Sequence, residues 1–191
     1  MTAVRPSVPL RRQVEARAIG RRTHQTFLFA GVTGVVVGLV VLALDRIILN
    51  GIFDSLADRP LWLRASAPAV GLLVAYLCLR WVAQARSPST ADEYVRTFHD
   101  DTYERMGPRP VLGRVLASIA TIGYGGALGL EGPSVYAGAA IGSNIQRRFA
   151  RLFSREDVRL LLVAGAAAGV AAIFKAPATG ALFAIEVPYR A

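Results

Sequence analysis

The stretch from Thr23 to Leu44 contains no Asp, Glu, Lys or Arg, and it is the longest such run in the chain. A helix needs roughly 20 predominantly apolar residues to cross the hydrocarbon core of a bilayer. A secretory signal peptide has a shorter apolar region, of about 7–15 residues, that begins closer to the N-terminus. We therefore predict a membrane protein whose first spanning helix covers this run.

Composition and charge distribution agree with a membrane location. Of the 191 residues, 53% are hydrophobic and 18% are charged, whereas charged residues make up about 25% of a typical soluble domain. The net charge of +9 comes mainly from arginines in the polar stretches beside the apolar runs, which is typical of cytoplasmic loops in membrane proteins. We therefore expect a multi-pass protein of the cell membrane, with the lipid bilayer and not nucleic acid as the partner of these arginines.

The first residues form a basic arm with six arginines and a single acid, Glu15. Basic flanks of a first span stay on the cytoplasmic side and can lie on an anionic leaflet. We divide the chain into a cytoplasmic N-terminal segment, residues 1–22, and a transmembrane domain, residues 23–191. A specific lipid or partner site in the arm is the alternative interpretation.

Cysteine and histidine are scarce. Cys78 is the single cysteine and stands within an apolar run, and the chain has two histidines. One cysteine cannot form a disulfide within the chain, and two histidines without cysteine partners do not make a structural metal site. We expect neither a metal ion nor a cofactor.

The middle of the chain predicts two crossings and then a new helix. A polar connection is expected from Asp45 to Arg64, and the apolar run Ala65–Leu79 would bring the chain back. Residues 86–110 are polar, and in this stretch hydroxyl side chains at 87, 89 and 90 are followed by Asp92 and Glu93. Such a pattern is typical of the capped start of a helix.

The later apolar segments are short and interrupted. Six glycine and proline residues break the stretch Val111–Gln146, and Lys175 and Pro177 separate Leu160–Phe174 from Ala176–Ile185. Interrupted hydrophobic segments indicate broken helices that place backbone groups at a binding site near the midplane of the membrane. Glycines four residues apart also predict close helix packing; the pairs are Gly34 with Gly38, Gly138 with Gly142, and Gly165 with Gly169.

Glu131 is the only acid between Glu104 and Glu156. A charge in hydrocarbon costs from about 2.5 kcal/mol upward, so an acid there is a functional hypothesis. Pro133 follows two residues later, and proline favours the first turn of a helix. The N-terminus of that helix would attract an anion, and the tethered carboxylate would compete with it. Protonation would end the competition, which predicts a pH-dependent gate.

Other roles for Glu131 are open at this point. It could cap its own helix or form an ion pair with an arginine such as Arg114. A dinucleotide-binding loop at GYGGALG is rejected because no strand precedes it and its spacing is wrong. An enzyme using Glu131 as a base is rejected because no nucleophile, histidine pair or metal cluster accompanies it in the apolar runs.

The motif Gly129-Leu130-Glu131-Gly132-Pro133 resembles Gly-Arg/Lys-Glu-Gly-Pro, the gating motif of the CLC family of chloride channels and proton-coupled chloride antiporters. The stretches VYAGAAIGSNIQRRF and GAAAGVAAIFKAPATGALFAIE are similar to that family in the expected order. The resemblance, over roughly residues 27–191, implies an all-α fold with tilted, broken helices, the first of two inverted halves. It implies chloride or a similar anion as the transported ion, bound beside Gly129, Leu130, Gly132 and Pro133, with Glu131 as the gate. A homodimer, or assembly with a second half, is also implied.

The central serine of the family motif Gly-Ser-Gly-Ile-Pro is missing. The segment Ser87-Pro88-Ser89-Thr90 stands near its place. Ser89 is our candidate for the chloride ligand, because it carries a hydroxyl at a predicted helix start. Ser87, and a role for Ser89 as an ordinary N-cap, are the alternatives.

Two further positions differ from the family pattern. Family antiporters usually carry paired acids where this chain has Glu186 and Val187, so the second, proton-accepting acid is missing. This favours a channel or an uncoupled transporter, unless Glu186 or water substitutes. Lys175 replaces a more common polar residue before Pro177; it could draw anions toward the pathway, or extend its amine to the headgroups, which we prefer.

Two functions are therefore compared below. The first is anion transport gated by Glu131. The second is a membrane subunit that conducts nothing by itself and needs a second half or a partner.

Overall fold

The computed structural model describes residues 8–84, 87–99, 106–153 and 159–190. Within these ranges all regular secondary structure is helical, which confirms the predicted all-α class. The helices are α1 (Val8–Asp45), α2 (Asp54–Ala57), α3 (Leu61–Leu77), α4 (Thr90–His99), α5 (Pro108–Gly123), α6 (Glu131–Arg148), α7 (Leu160–Phe174) and α8 (Pro177–Arg190). The π-helical segments Arg46–Phe53 and Cys78–Val82 extend α1 and α3, and a 3₁₀ turn, Ala150–Leu152, follows α6.

The first helix is longer at both ends than predicted. It begins at Val8, inside the basic arm, and it continues through the π-helical segment to Ala57. The predicted polar connection from Asp45 to Arg64 is therefore wrong over most of its length. The sequence RIILNGIF is mostly apolar, and Ile48 is buried against Ile122 and Leu130, so this part of the chain gains packing by remaining helical. The turn before α3 reduces to residues 58–60.

Two helices among the described residues are long and apolar enough to cross a membrane. They cover Thr23–Ala57, with mean hydropathy 2.7, and Leu61–Val82, with mean hydropathy 1.6. Only 22% and 17% of their apolar windows are buried inside the chain. Their side chains therefore face outward, as expected for helices in contact with lipid and not for core helices of a soluble domain. The second span includes the predicted run Ala65–Leu79.

The helix breaks lie where glycine and proline predicted them. Helix α5 ends at Gly123, and Gly125, at φ 86°, begins the turn that leads to α6. Helix α7 ends before Lys175, whose backbone is left-handed at φ 52°, and α8 begins at Pro177. Helix α8 continues past Ile185, the predicted end of its apolar segment, to Arg190.

Helices α6 and α7 make the most extensive contact in the described chain. A β-carbon on Gly138 would overlap the Gly165 carbonyl oxygen, and one on Gly142 would overlap the Leu161 carbonyl oxygen. Two of the predicted glycine pairs thus allow one backbone-to-backbone contact. The third pair differs, because open space surrounds Gly34 and Gly38 in the described chain; the prediction of close packing there is wrong within this chain.

The largest apolar cluster joins α4, α6 and α7. Its buried members include Tyr94 and Phe98 of α4, Tyr136 of α6 and Leu162 of α7, and Val187 of α8 packs against its edge. This cluster places the start of α4 beside the first turns of α6. The candidate site lies at that junction.

Candidate functional site

The N-terminus of α6 has no side-chain cap. Leu130 occupies the N-cap position, and the Ser134 N–H donates to the Leu130 carbonyl at 2.9 Å. The first N–H groups of a helix lack partners within the helix, and Pro133 has no N–H to leave unpaired. The amides of Glu131 and Gly132 are therefore the donors that this end can offer to an anion.

Glu131 is the first residue of α6, and its side chain is exposed. The carboxylate turns back over Gly129, where a β-carbon would overlap Glu131 Oε2. It therefore lies against the segment that leads into α6. Among the described residues, α6 has no side-chain cap at its N-terminus, and Arg114 forms an ion pair with Glu93 and not with Glu131.

Thr90 is the residue that the sequence reasoning missed. It is the first residue of α4, and a β-carbon on Gly132 would lie 2.6 Å from Thr90 Oγ1. Only glycine at 132 lets this hydroxyl come so close to the first turn of α6. Thr90 directly follows Ser89 in the sequence, but the family motif carries a serine and therefore favours Ser89 over the threonine.

Ser89 and Ser87 lie in the turn before α4. The Ser89 N–H donates to Ser87 Oγ at 3.2 Å, and both residues are exposed. The Ser87 carbonyl accepts from Arg114 Nε at 2.9 Å. The role of Ser89 as a ligand stays a prediction, while Thr90 is the hydroxyl residue placed against Gly132.

A buried ionic cluster stands behind this turn. The side chains of Arg114 and Glu93 are 1% and 9% exposed, and Arg114 Nη2 lies 3.2 Å from Glu93 Oε2. Arg114 Nη1 donates to Tyr136 Oη at 2.5 Å, and the guanidinium lies 4.9 Å from the centre of the Tyr136 ring. The cluster therefore joins α4, α5 and α6.

A cavity of about 60 Å³ adjoins the cluster, and its lining includes Pro88, Arg114, Ser118 and Thr121. The two hydroxyls donate to backbone carbonyls one turn earlier, the Ser118 hydroxyl to Arg114 O and the Thr121 hydroxyl to Ala117 O, each at 2.9 Å. The charge of Arg114 is paired with that of Glu93. A water molecule fits the size and polarity of this cavity.

The remaining predicted positions lie at α7 and α8. Lys175 is exposed at the turn between them, and Glu186 is exposed on α8. Val187 is partly buried against the apolar cluster that contains Tyr94. Residues 154–158, between the 3₁₀ turn and α7, lie outside the described residues. The described residues contain no group of three or more His, Cys, Asp or Glu that could hold a metal ion.

Comparison with known proteins shows the family to which this chain belongs. The family model described as "Voltage gated chloride channel" matches residues 70–191, which include α4 to α8 and both sides of the candidate site. This chain belongs to the voltage-gated chloride channel family. The earlier resemblance to CLC proteins is thereby confirmed.

Two curated relatives show how much of a family member the chain represents. It is 33% identical over 144 residues to "Putative chloride channel protein ClcB-like" of Ralstonia nicotianae, covering 74% of this chain and 33% of the relative. It is 44% identical over 89 residues to "Chloride channel protein CLC-d" of Arabidopsis thaliana, covering 41% of this chain and 11% of the relative. The matched part thus spans a third or less of these relatives.

Proposed function

We propose that this chain transports chloride, with the anion bound between the N-terminus of α6 and Thr90. The amides of Glu131 and Gly132 supply N–H donors, and the positive end of the helix dipole favours the negative charge. The Thr90 hydroxyl supplies a further donor. Glu131 is the gate, because its carboxylate is tethered at the place that the anion would occupy.

The proximity of Thr90 Oγ1 to Gly132 carries this proposal. It brings a hydroxyl and the open end of a long helix to one point, within the motif in which Glu131 stands. Both curated relatives are named as chloride channel proteins, which supports chloride as the anion. Val187 packs in the apolar cluster, which supports a route without a second proton-accepting acid.

Glu131→Gln is expected to raise chloride flux at neutral pH about tenfold, because a neutral side chain no longer repels or displaces the anion. The flux should also lose most of its pH dependence, since the group that gains and loses the proton is gone. Chloride efflux from loaded vesicles, followed over a range of pH, measures both effects. The chain is reconstituted alone and together with a chain that supplies the second half.

The matched control is Asp54→Asn, which neutralises an exposed acid of α2 away from the site and should leave the pH profile unchanged. A Glu131→Gln variant with wild-type flux and a wild-type pH profile would show that Glu131 is not the gate. Absence of chloride flux in both reconstitutions would contradict transport itself.

Thr90→Val is expected to weaken chloride binding about tenfold, because a hydrogen bond to a charged group contributes about 1.5–3 kcal/mol. Valine keeps the shape of threonine and removes the donor. Titration calorimetry with chloride on the purified protein measures the change. Thr97→Val is the control on the same helix, since its hydroxyl donates to the Glu93 carbonyl; equal losses in both variants would contradict a ligand role for Thr90.

A second candidate is a membrane subunit that conducts nothing until it assembles with a second half or another partner. The observation in its favour is coverage, since the matched part spans 33% of the Ralstonia relative. The paired reconstitutions separate the two functions. Flux only in the presence of the second half supports the subunit, and flux from this chain alone supports a homodimer that transports by itself.

The orientation follows from the basic segments. We place the N-terminal segment on the cytoplasmic side of a multi-pass protein of the cell membrane, because its arginines precede the first span. Lys175, exposed at the turn between α7 and α8, extends toward lipid headgroups in this arrangement.

A further inference from the structure

Arg114 is buried in the middle of α5, where an unpaired charge would be strongly unfavourable. It is held by three partners in two other parts of the chain. Its Nε donates to Ser87 O at 2.9 Å, its Nη1 donates to Tyr136 Oη at 2.5 Å, and its Nη2 lies 3.2 Å from Glu93 Oε2. Arginine suits this arrangement because its donors form a rigid planar fork.

These partners lie on both sides of Thr90. Ser87 precedes Thr90 by three residues and Glu93 follows it by three. Arg114 therefore fixes the turn before Thr90 and the helical turn after it. Because the residues on both sides of Thr90 are held in place, the Thr90 hydroxyl has little freedom to move.

The third partner of Arg114, Tyr136, lies on α6, the other side of the contact between Thr90 and Gly132. Tyr136 lies four residues after Gly132 on α6, so both face the same side of that helix. The guanidinium also lies over the Tyr136 ring, at 4.9 Å from its centre. The side chain of Arg114 thus contacts the residues on both sides of Thr90 and also the first turns of α6.

The positive charge of Arg114 is balanced by a neighbouring carboxylate. Glu93 is its partner at 3.2 Å, and a close pair of opposite charges has a weak field at a distance. The effect of Arg114 on a nearby anion is therefore geometric. It sets the separation between the Thr90 hydroxyl and the α6 amides.

We propose that Arg114 is a positioning residue that sets chloride affinity and selectivity by fixing Thr90 against the N-terminus of α6. It does this without touching the anion. The inference rests on the proposed function, since it assumes an anion between these groups. It predicts that geometry, not charge, must be preserved at residue 114.

The test is Arg114→Lys, which keeps the positive charge and loses the planar fork. We expect chloride affinity to fall about tenfold, as is common when supporting partners of a binding site are removed, with a smaller preference for chloride over nitrate. Titration calorimetry with each anion on the purified protein measures both, and thermal unfolding reports stability separately. Arg109→Lys, at an exposed position of the same helix, should bind as wild type.

Tyr136→Phe keeps the test decisive if Arg114→Lys fails to fold. It removes one hydrogen bond to Arg114 and retains the ring, so we expect about a threefold loss of chloride affinity. Wild-type affinity and selectivity in Tyr136→Phe, and in Arg114→Lys where that variant folds, would overturn the positioning role alone, even if both variants unfold at lower temperature. A wild-type protein that binds no chloride would overturn the proposed function, and this inference with it.

Discussion

Gly165→Ala is expected to lower the free energy of unfolding by about 3 kcal/mol, at the upper end of the usual cost of overpacking. A β-carbon at this position would overlap the carbonyl oxygen of Gly138. The obstacle is backbone, so no side-chain rotation can relieve it, and α6 and α7 must move apart. Since these helices form the most extensive contact in the described chain, the loss should extend to the apolar cluster between them. Thermal or denaturant unfolding in detergent, followed by circular dichroism, measures the change.

Gly38→Ala is the matched control. The substitution is the same and the residue is also in a helix, but nothing lies within 4 Å of the added carbon. Alanine is favoured over glycine within a helix by about 0.5–1 kcal/mol, so this variant should be slightly more stable than wild type. If Gly165→Ala were as stable as Gly38→Ala, the close contact between α6 and α7 would be contradicted.

Glu93→Leu is expected to destabilise the protein by about 3–5 kcal/mol, because it leaves the buried guanidinium of Arg114 without its counter-charge. Leucine fills a similar volume, so the loss comes from the uncompensated charge and not from a cavity. The side chain of Arg114 is 1% exposed, and it cannot recover solvation without displacing the turn before α4. The same unfolding measurement serves here.

The double variant Glu93→Leu with Arg114→Met tests whether the loss of stability comes from the unpaired charge of Arg114. Replacing both members of a buried ion pair with apolar residues is often neutral or stabilising, so the double variant should recover most of the loss. Chloride binding should remain weak in it, because the fork that fixes Thr90 is also absent. A double variant as unstable as Glu93→Leu would show that Glu93 stabilises the fold by some other interaction.

Local sequence signals predicted the breaks between helices well in the second part of the chain, although α8 extends beyond its predicted end. Glycine and proline act through the backbone of their own neighbourhood, so the breaks at Gly123–Gly125 and at Lys175–Pro177 were predictable. The segment after Asp45 was not. Its charged and polar residues indicated a loop, but the buried contact of Ile48 with Ile122 and Leu130 keeps it helical, and that contact depends on residues far along the chain.

The glycine pairs also show the difference between what the sequence predicts and what tertiary packing decides. All three have the four-residue spacing that allows close helix packing, and spacing alone cannot distinguish them. Gly138 and Gly165 meet because α6 and α7 pack together, while Gly34 faces open space in the described chain. Glycines four residues apart show that one face of a helix lacks side chains. Only the tertiary structure decides which other segment packs against that face.

For the candidate site, the sequence by itself determined the family, the helix that begins at Glu131 and the position of that carboxylate at its first turn. These features follow from a contiguous motif, because residues that are neighbours in the sequence are also neighbours in the structure. The tertiary structure decided that Thr90 lies against Gly132 and that Arg114 pairs with Glu93 instead of Glu131. Residues of different helices meet only where packing brings those helices together, and neither hydrophobic periodicity nor a local motif specifies which polar side chains face each other there.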